Sequence, residues 1–221
     1  MSGSAQGESE RFRRSHSASP LRIAILVSGR GSNLDALIRR VHKRRRVPAE
    51  IVVVISNIPS AAALAIARKA GIEAMCINEK EFPSREAHQT RIRQELTARN
   101  VDLVCLAGFM RLLTPSFIRA FPHRIMNIHP ALLPAFPGLH VQKKALDYGI
   151  KVAGCTVHFV DDGVDSGPII AQQAVPIKEN DTEDSLSERI LNEEHKIYPQ
   201  AVELFARGRL KIHGRRVKIV S

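Results

Sequence analysis

Short, continuous runs of β-branched and aliphatic residues, alternating with longer amphipathic stretches, constrain the fold of this chain more than any other feature. Residues 22–27 (Arg-Ile-Ala-Ile-Leu-Val), 50–55 (Glu-Ile-Val-Val-Val-Ile) and 101–106 (Val-Asp-Leu-Val-Cys-Leu) read as strands that are apolar on both faces. Between them, residues 34–43, 60–70 and 84–99 space their apolar side chains as amphipathic helices do. A strand buried on both faces belongs in a parallel sheet covered by helices on either side. The expected fold class is therefore α/β: a Rossmann-like, mostly parallel twisted sheet. Further strands at 124–128, 152–160 and 168–177, the last two joined by the polar stretch 161–167, predict an antiparallel extension toward the C-terminus. A long helix is expected over 182–207, and 210–219 alternates around His213-Gly214 like a small hairpin.

The 221 residues suit one domain, and the organisation expected is a polar, disordered leader over 1–20 followed by a single domain over 21–221. The leader's Ser and Arg content resembles that of a transit peptide, but Glu8 and Glu10 argue against one. No apolar run approaches the ~20 residues that span a bilayer. A cytoplasmic protein with no membrane association is expected. Cys76, Cys105 and Cys155 each lie in or beside apolar sequence without a CxxC pair, which predicts buried, reduced thiols. The net charge of +11 gathers in 11–14, 39–46 and 207–218 and favours anionic partners. Phosphorylated metabolites, a polyglutamate tail and nucleic acid all answer to that description. Nucleic acid is disfavoured, because no recognition helix or aromatic-interleaved basic sheet is visible.

Three segments carry candidate chemistry. Ser28-Gly29-Arg30-Gly31-Ser32-Asn33 follows the first strand and opens a helix, where free amides and two polar side chains suit a phosphate. An ordinary strand-to-helix turn capped by Ser32 or Asn33 fits equally well. Phe109, Met110 and Leu112 follow the strand expected at 101–106 and either line an apolar pocket or tuck under a helix. In Asn127-Ile128-His129-Pro130, period-two alternation turns Asn127 and His129 to one side, and Pro130 ends the strand. A satisfied pair of core polar groups and a reactive pair are both compatible with this. In the acidic stretch Asp161, Asp162 and Asp165, an Asp brought beside His129 would stabilise an imidazolium, although a turn of Asp and Gly is often just a turn. His123, His129, His140 and His195 lack zinc-ligand spacing, so no metal is expected.

Taken together and in order, Ser28 to Leu34, Ser84-Arg85-Glu86, Leu106 to Leu113, Asn127 to Pro134, Pro137 to His140, Gly154 to Val160, Asp165 to Pro168 and Glu194 to Pro199 resemble the phosphoribosylglycinamide formyltransferase family. The resemblance runs from Leu21 to the end of the chain. It implies transfer of a formyl group from 10-formyltetrahydrofolate, a cosubstrate and not a resident cofactor, to the amine of glycinamide ribonucleotide in purine synthesis. By resemblance, Asn127, His129 and Asp165 form the catalytic trio. Gly31, Ser32 and Asn33 hold the ribonucleotide phosphate, and Glu194 lies near its ribose. The folate contacts implied are Arg85, Met110, Arg111, Leu112, Leu113 and Asn127, together with Asp161, Asp162, Gly163, Val164 and Asp165. Small-molecule partners and a monomer or homodimer follow from the same resemblance.

Formyltetrahydrofolate hydrolases resemble the chain through the same trio but would carry a regulatory domain ahead of it. Methionyl-tRNA formyltransferases share the Asn-x-His-Pro stretch but would need a tRNA-binding domain after it. A basic nucleotide- or RNA-binding module explains the charge and leaves His129 and Asp165 without a task.

Overall fold

The computed structural model describes residues 19–43 and 46–221. The polar leader lies largely outside the described residues. A nine-stranded sheet organises the rest, in the order β3-β2-β1-β4-β5-β6-β7-β9-β8. Its strands are β1 Leu21–Val27, β2 Ala49–Ser56, β3 Ala74–Cys76, β4 Leu103–Leu106, β5 Ile125–His129, β6 Val152–Phe159, β7 Ile169–Pro176, β8 Leu210–His213 and β9 Arg216–Ile219. The first five run parallel. Pairing is antiparallel from β5 to β6 and from β6 to β7, so the extension expected from the sequence is present. The C-terminal hairpin then adds β9 parallel to β7 through one bridging pair, Ile169 and Arg216.

The helices are α1 Ser32–Leu37, α2 Ala62–Lys69, α3 Arg85–Ala98, α4 Pro115–Ala120, α5 Val141–Tyr148 and α6 Glu183–Ala206. A π-helical stretch, Ile38–His42, continues α1. The continuous apolar character of β1 has a direct cause. Ile23, Ile25 and Val27 join one core with Leu34 and Leu37 of α1 and Ile190 and Tyr198 of α6. Ala24 and Leu26 enter a second core with Ile92 and Leu96 of α3 and Phe117 of α4. Three of the six helix starts carry a local signal: the Ser84 hydroxyl accepts from Ala87 N–H, Thr114 precedes a Pro at the first turn of α4, and Thr182 with Ser185 forms a capping box.

Two expectations need correction. Cys105 and Cys155 are buried, but Cys76 is exposed, because it ends the three-residue strand β3 at the edge of the sheet. The hairpin turns on Gly214-Arg215, one residue beyond the place expected, as His213 pairs with Arg216. Gly214 supplies the positive φ of 58° that such a two-residue turn requires. No helix among the described residues is long and apolar enough to cross a membrane.

Candidate active site

Parallel β1, β4 and β5 are neighbours, so the segments leaving their carboxyl ends lie side by side, where open α/β sheets place ligands. The three sequence candidates 28–33, 106–113 and 127–129 all fall on this edge. Ser28 ties the first two: its N–H donates to Gly108 O at 3.0 Å, and its hydroxyl accepts from Met110 N–H at 2.9 Å.

In the glycine loop, Gly31 has φ 82°, and a Cβ there would lie 2.8 Å from both Cα and Cβ of Ala63 in α2. Glycine is therefore required by conformation and by packing. The Gly29 and Gly31 carbonyls accept from Ala63 and Asp35 N–H groups, which leaves the amide side of the loop and the opening turn of α1 to face a ligand. Asn33 Nδ2 donates to Oε2 of buried Glu194 at 2.7 Å. Burial pushes the Glu194 carboxyl above its ordinary pKa, and the Asn33 bond offsets part of that. Asn33 Oδ1 is sealed from solvent with no hydrogen-bond partner among the described residues. An acceptor left in that state costs free energy until a donor reaches it.

The trio implied by the resemblance converges. Asp165 Oδ2 lies 3.3 Å from His129 Nδ1 and accepts from Gly138 N–H at 2.9 Å, while its Oδ1 accepts from Asn127 Nδ2 at 3.4 Å. Asp165 holds φ 50°, an unusual backbone for a non-glycine residue and a known mark of functional loops. Beside it, a Cβ on Gly167 would fall 1.8 Å from Phe159 O, so the loop can close against β6 only with glycine there. His129 Nε2 donates to Phe136 O at 2.9 Å. Both of its ring nitrogens thus face acceptors, an arrangement that an imidazolium satisfies best. Burial works the other way and is the larger effect, so the His129 pKa lies below its ordinary value, with the Phe136 carbonyl and Asp165 opposing the drop. Burial also disfavours an ionised Asp165, but the His158 ring, the Gly138 amide and His129 outweigh it and hold the carboxyl below its usual range.

Sequence reading assigned no role to several residues that hold this arrangement. His158 is fully buried on β6 opposite Asn127; its Nδ1 lies 2.9 Å from Phe159 O, and its Nε2 lies 3.3 Å from Asn127 Nδ2 and 3.6 Å from Asp165 Oδ1. The signal was available, since His158 is a polar residue in an apolar strand at a position that a β5–β6 pairing brings to Asn127. Thr156 Oγ1 donates to Ala131 O at 2.6 Å and accepts from Leu133 N–H and Gln172 Nε2, pinning the turn after His129. Tyr198, fully buried in α6, sets its hydroxyl 3.0 Å from both Leu106 O and Met126 O.

The remaining folate candidates form a less unified group. Met110, Leu112 and Val164 are exposed apolar side chains, and Leu113 is half-buried. Gln89 of α3 fixes their segment by donating to Leu112 O and accepting from Thr114 N–H, both at 2.8 Å. Arg85 stands one turn earlier on that helix and is exposed. Arg111 is occupied by both carboxylate oxygens of Glu79. Asp161 accepts from Gly163 N–H and the Ser166 hydroxyl, so it closes its own loop, whereas Asp162 and Gly163 are exposed. No cluster of metal-ligating side chains occurs among the described residues.

Residues 21–202 match the family described as formyl transferase. The chain belongs to that family. It is 42% identical to phosphoribosylglycinamide formyltransferase of Escherichia coli over 87% of this chain and 91% of that protein, which places it among the phosphoribosylglycinamide formyltransferases. A crystal structure of glycinamide ribonucleotide transformylase 1 from Symbiobacterium toebii superposes with a TM-score of 0.90 at 50% identity, covering 96% of this chain and all of that one. The trifunctional purine biosynthetic protein adenosine-3 of Drosophila melanogaster is 50% identical over 85% of this chain, which spans only 14% of that longer protein.

Proposed function

We propose that the chain transfers the formyl group of 10-formyltetrahydrofolate to the amine of glycinamide ribonucleotide, giving formylglycinamide ribonucleotide and tetrahydrofolate. The observation that carries this reading is the convergence of Asn127, His129 and Asp165 at the carboxyl edge of the sheet, beside a glycine loop suited to phosphate. Gly31, Ser32 and Asn33 hold the phosphate, and Glu194 with Asn33 meets the ribose. The exposed apolar group Met110, Leu112 and Val164, with Arg85 and the loop from Asp161 to Asp165, receives the folate, and the folate leaves after each turnover.

As the amine nitrogen attacks the formyl carbon, the carbonyl electron pair moves to oxygen. Asn127 Nδ2 and His129 donate to that oxyanion, the ring turning an N–H away from the Phe136 carbonyl; its protonated form, disfavoured by burial in the free site, is favoured by the charge that builds on the substrate oxygen. Asp165 stabilises the imidazolium and, through a water, takes the proton shed by the amine. Collapse restores the carbonyl and expels the folate nitrogen, which takes up that proton as Asp165 returns it through the water. Holding both reactants in register supplies much of the remaining rate. The reading includes one catalytic domain over residues 21–221, behind a polar leader, and a cytoplasmic location.

An assay with purified protein tests it. Consumption of formylfolate should require glycinamide ribonucleotide and yield its formylated product in equal amount. Formate release at full rate without the ribonucleotide would instead identify a hydrolase.

A further inference from the structure

Residues 109–113 contain the apolar side chains proposed to receive the folate, yet among the described residues none of the five enters a backbone–backbone hydrogen bond. Phe109 is buried and Leu113 half-buried against the core that holds Ile92 and Phe117, whereas Met110 and Leu112 are 58% and 57% exposed. A strip of this kind does not hold its own shape. It hangs between two side-chain clips. At its start the Ser28 hydroxyl accepts from Met110 N–H at 2.9 Å; at its end Gln89 Nε2 donates to Leu112 O and Gln89 Oε1 accepts from Thr114 N–H, both at 2.8 Å. The Arg111 pair with Glu79 adds a partly exposed contact, a class that contributes little.

Gln89 is buried in α3, and its two bonds call for a side-chain amide. Leu112 O can only accept and Thr114 N–H can only donate, so neither a hydrocarbon nor a carboxylate serves both. Its neighbours on the helix grip the next segment instead: Glu86 accepts from the Ser116 hydroxyl, and Arg93 donates to Ser116 O at 3.4 Å. Arg85 stands one turn before Gln89, so a single rigid helix carries both a proposed folate contact and the clip that fixes the apolar strip.

We propose that Gln89 is a positioning residue for the formyl donor: it sets the spacing between the Met110–Leu112 strip and Arg85, and so governs folate affinity without touching either substrate. The inference rests on the proposed folate reading of these residues. With the clip in place the strip is ordered before the ligand arrives; without it, that ordering has to be met at binding. Ser28, the other clip, also opens the glycine loop, so its loss would disturb both substrates. Gln89 holds the folate side alone.

The test is calorimetric titration of the full chain with tetrahydrofolate and, separately, with glycinamide ribonucleotide. It compares wild type with Gln89→Met, an unbranched side chain of similar length that makes neither bond. The Kd for tetrahydrofolate should rise by about tenfold or more, the worth of a buried hydrogen-bonded pair, while the Kd for ribonucleotide stays at its wild-type value. In turnover, the KM for formylfolate should rise by more than kcat falls. Unchanged folate affinity, or an equal loss for both ligands such as general loosening would give, would overturn the proposal. If Gln89→Met does not fold, Gln89→Glu, which keeps the acceptor for Thr114 N–H and loses the donor to Leu112 O, carries the same comparison. Wild-type protein that binds the ribonucleotide but not tetrahydrofolate would sink the folate reading and this inference with it. Wild-type folate binding that survives undiminished in Gln89→Met sinks the inference alone.

Discussion

Asp165 Oδ2 lies 3.3 Å from His129 Nδ1 and binds the Gly138 N–H with the same oxygen, so one carboxylate fixes both the histidine ring and the chain segment that follows β5. Changing either member should stop chemistry without unfolding the protein. His129→Asn and Asp165→Asn are each expected to lower turnover by about 100- to 1000-fold, the usual cost of an oxyanion donor or its support. Initial rates check this, with circular dichroism confirming the fold. Near wild-type turnover in either variant would remove that residue from the reaction.

Acid should weaken the fold in two stages. Burial lowers His129 below 6.5, so as pH falls past that value the unfolded chain takes up a proton that the native ring refuses, and stability drops. Asp165 is held below 3.8 despite burial, chiefly by His158, and its contribution is lost as pH falls below that value. His42 and His195 are also lowered by burial, so His129→Gln should make the first decline shallower without abolishing it. Urea midpoints measured across the acid range decide the matter.

Gly31→Ala combines two penalties. The left-handed backbone costs an alanine about 1–2 kcal/mol, and the new Cβ would press on Ala63 at 2.8 Å, so α2 has to move. Urea unfolding should show at least that loss. The KM for ribonucleotide should rise while the KM for formylfolate changes little; equal changes in both would argue against phosphate binding by this loop.

Arg215 reaches from the C-terminal hairpin to donate to Ser166 O at 2.6 Å, next to Asp165, the carboxylate proposed to act on His129. Arg215→Ala is a surface change and should alter stability by no more than about 0.5 kcal/mol. Loosening the loop should nevertheless lower kcat/KM for formylfolate by about tenfold, with ribonucleotide KM unchanged. Arg215→Lys should recover part of the loss. Unaltered kinetics in Arg215→Ala would show that the hairpin does not support the site.

The strands that build the parallel half were legible because each is long enough and apolar enough to show burial on both faces. β3, with three residues, and α4, with six, carry too little periodic signal to be read, although the Thr114-Pro115 start of α4 was a usable cue. Cys76 was misjudged because apolar neighbours do not reveal that a strand lies on an edge. At the site, Asn127 and His129 were visible as polar residues on one face of an apolar strand. His158 required the β5–β6 register, which is a long-range fact. The engagement of Arg111 by Glu79 likewise depends on a contact between distant segments that no local pattern encodes.

Tyr198 lies about one helical turn beyond Glu194 on α6, and its single hydroxyl is shared between the Leu106 and Met126 carbonyls. Leu106 is where the segment bearing Met110 and Leu112 departs, and Met126 immediately precedes Asn127. Under the proposed reading, α6 acts as a spacer bar: one turn grips the ribonucleotide and the next clamps the two strand ends that face the formyl donor. The gap between nucleophile and electrophile is thereby set when the chain folds, before either substrate arrives. An amine tethered through its phosphate is delivered across that gap at the right height, whereas an untethered water is not, so discrimination against hydrolysis becomes a matter of distance held by a single buried phenol.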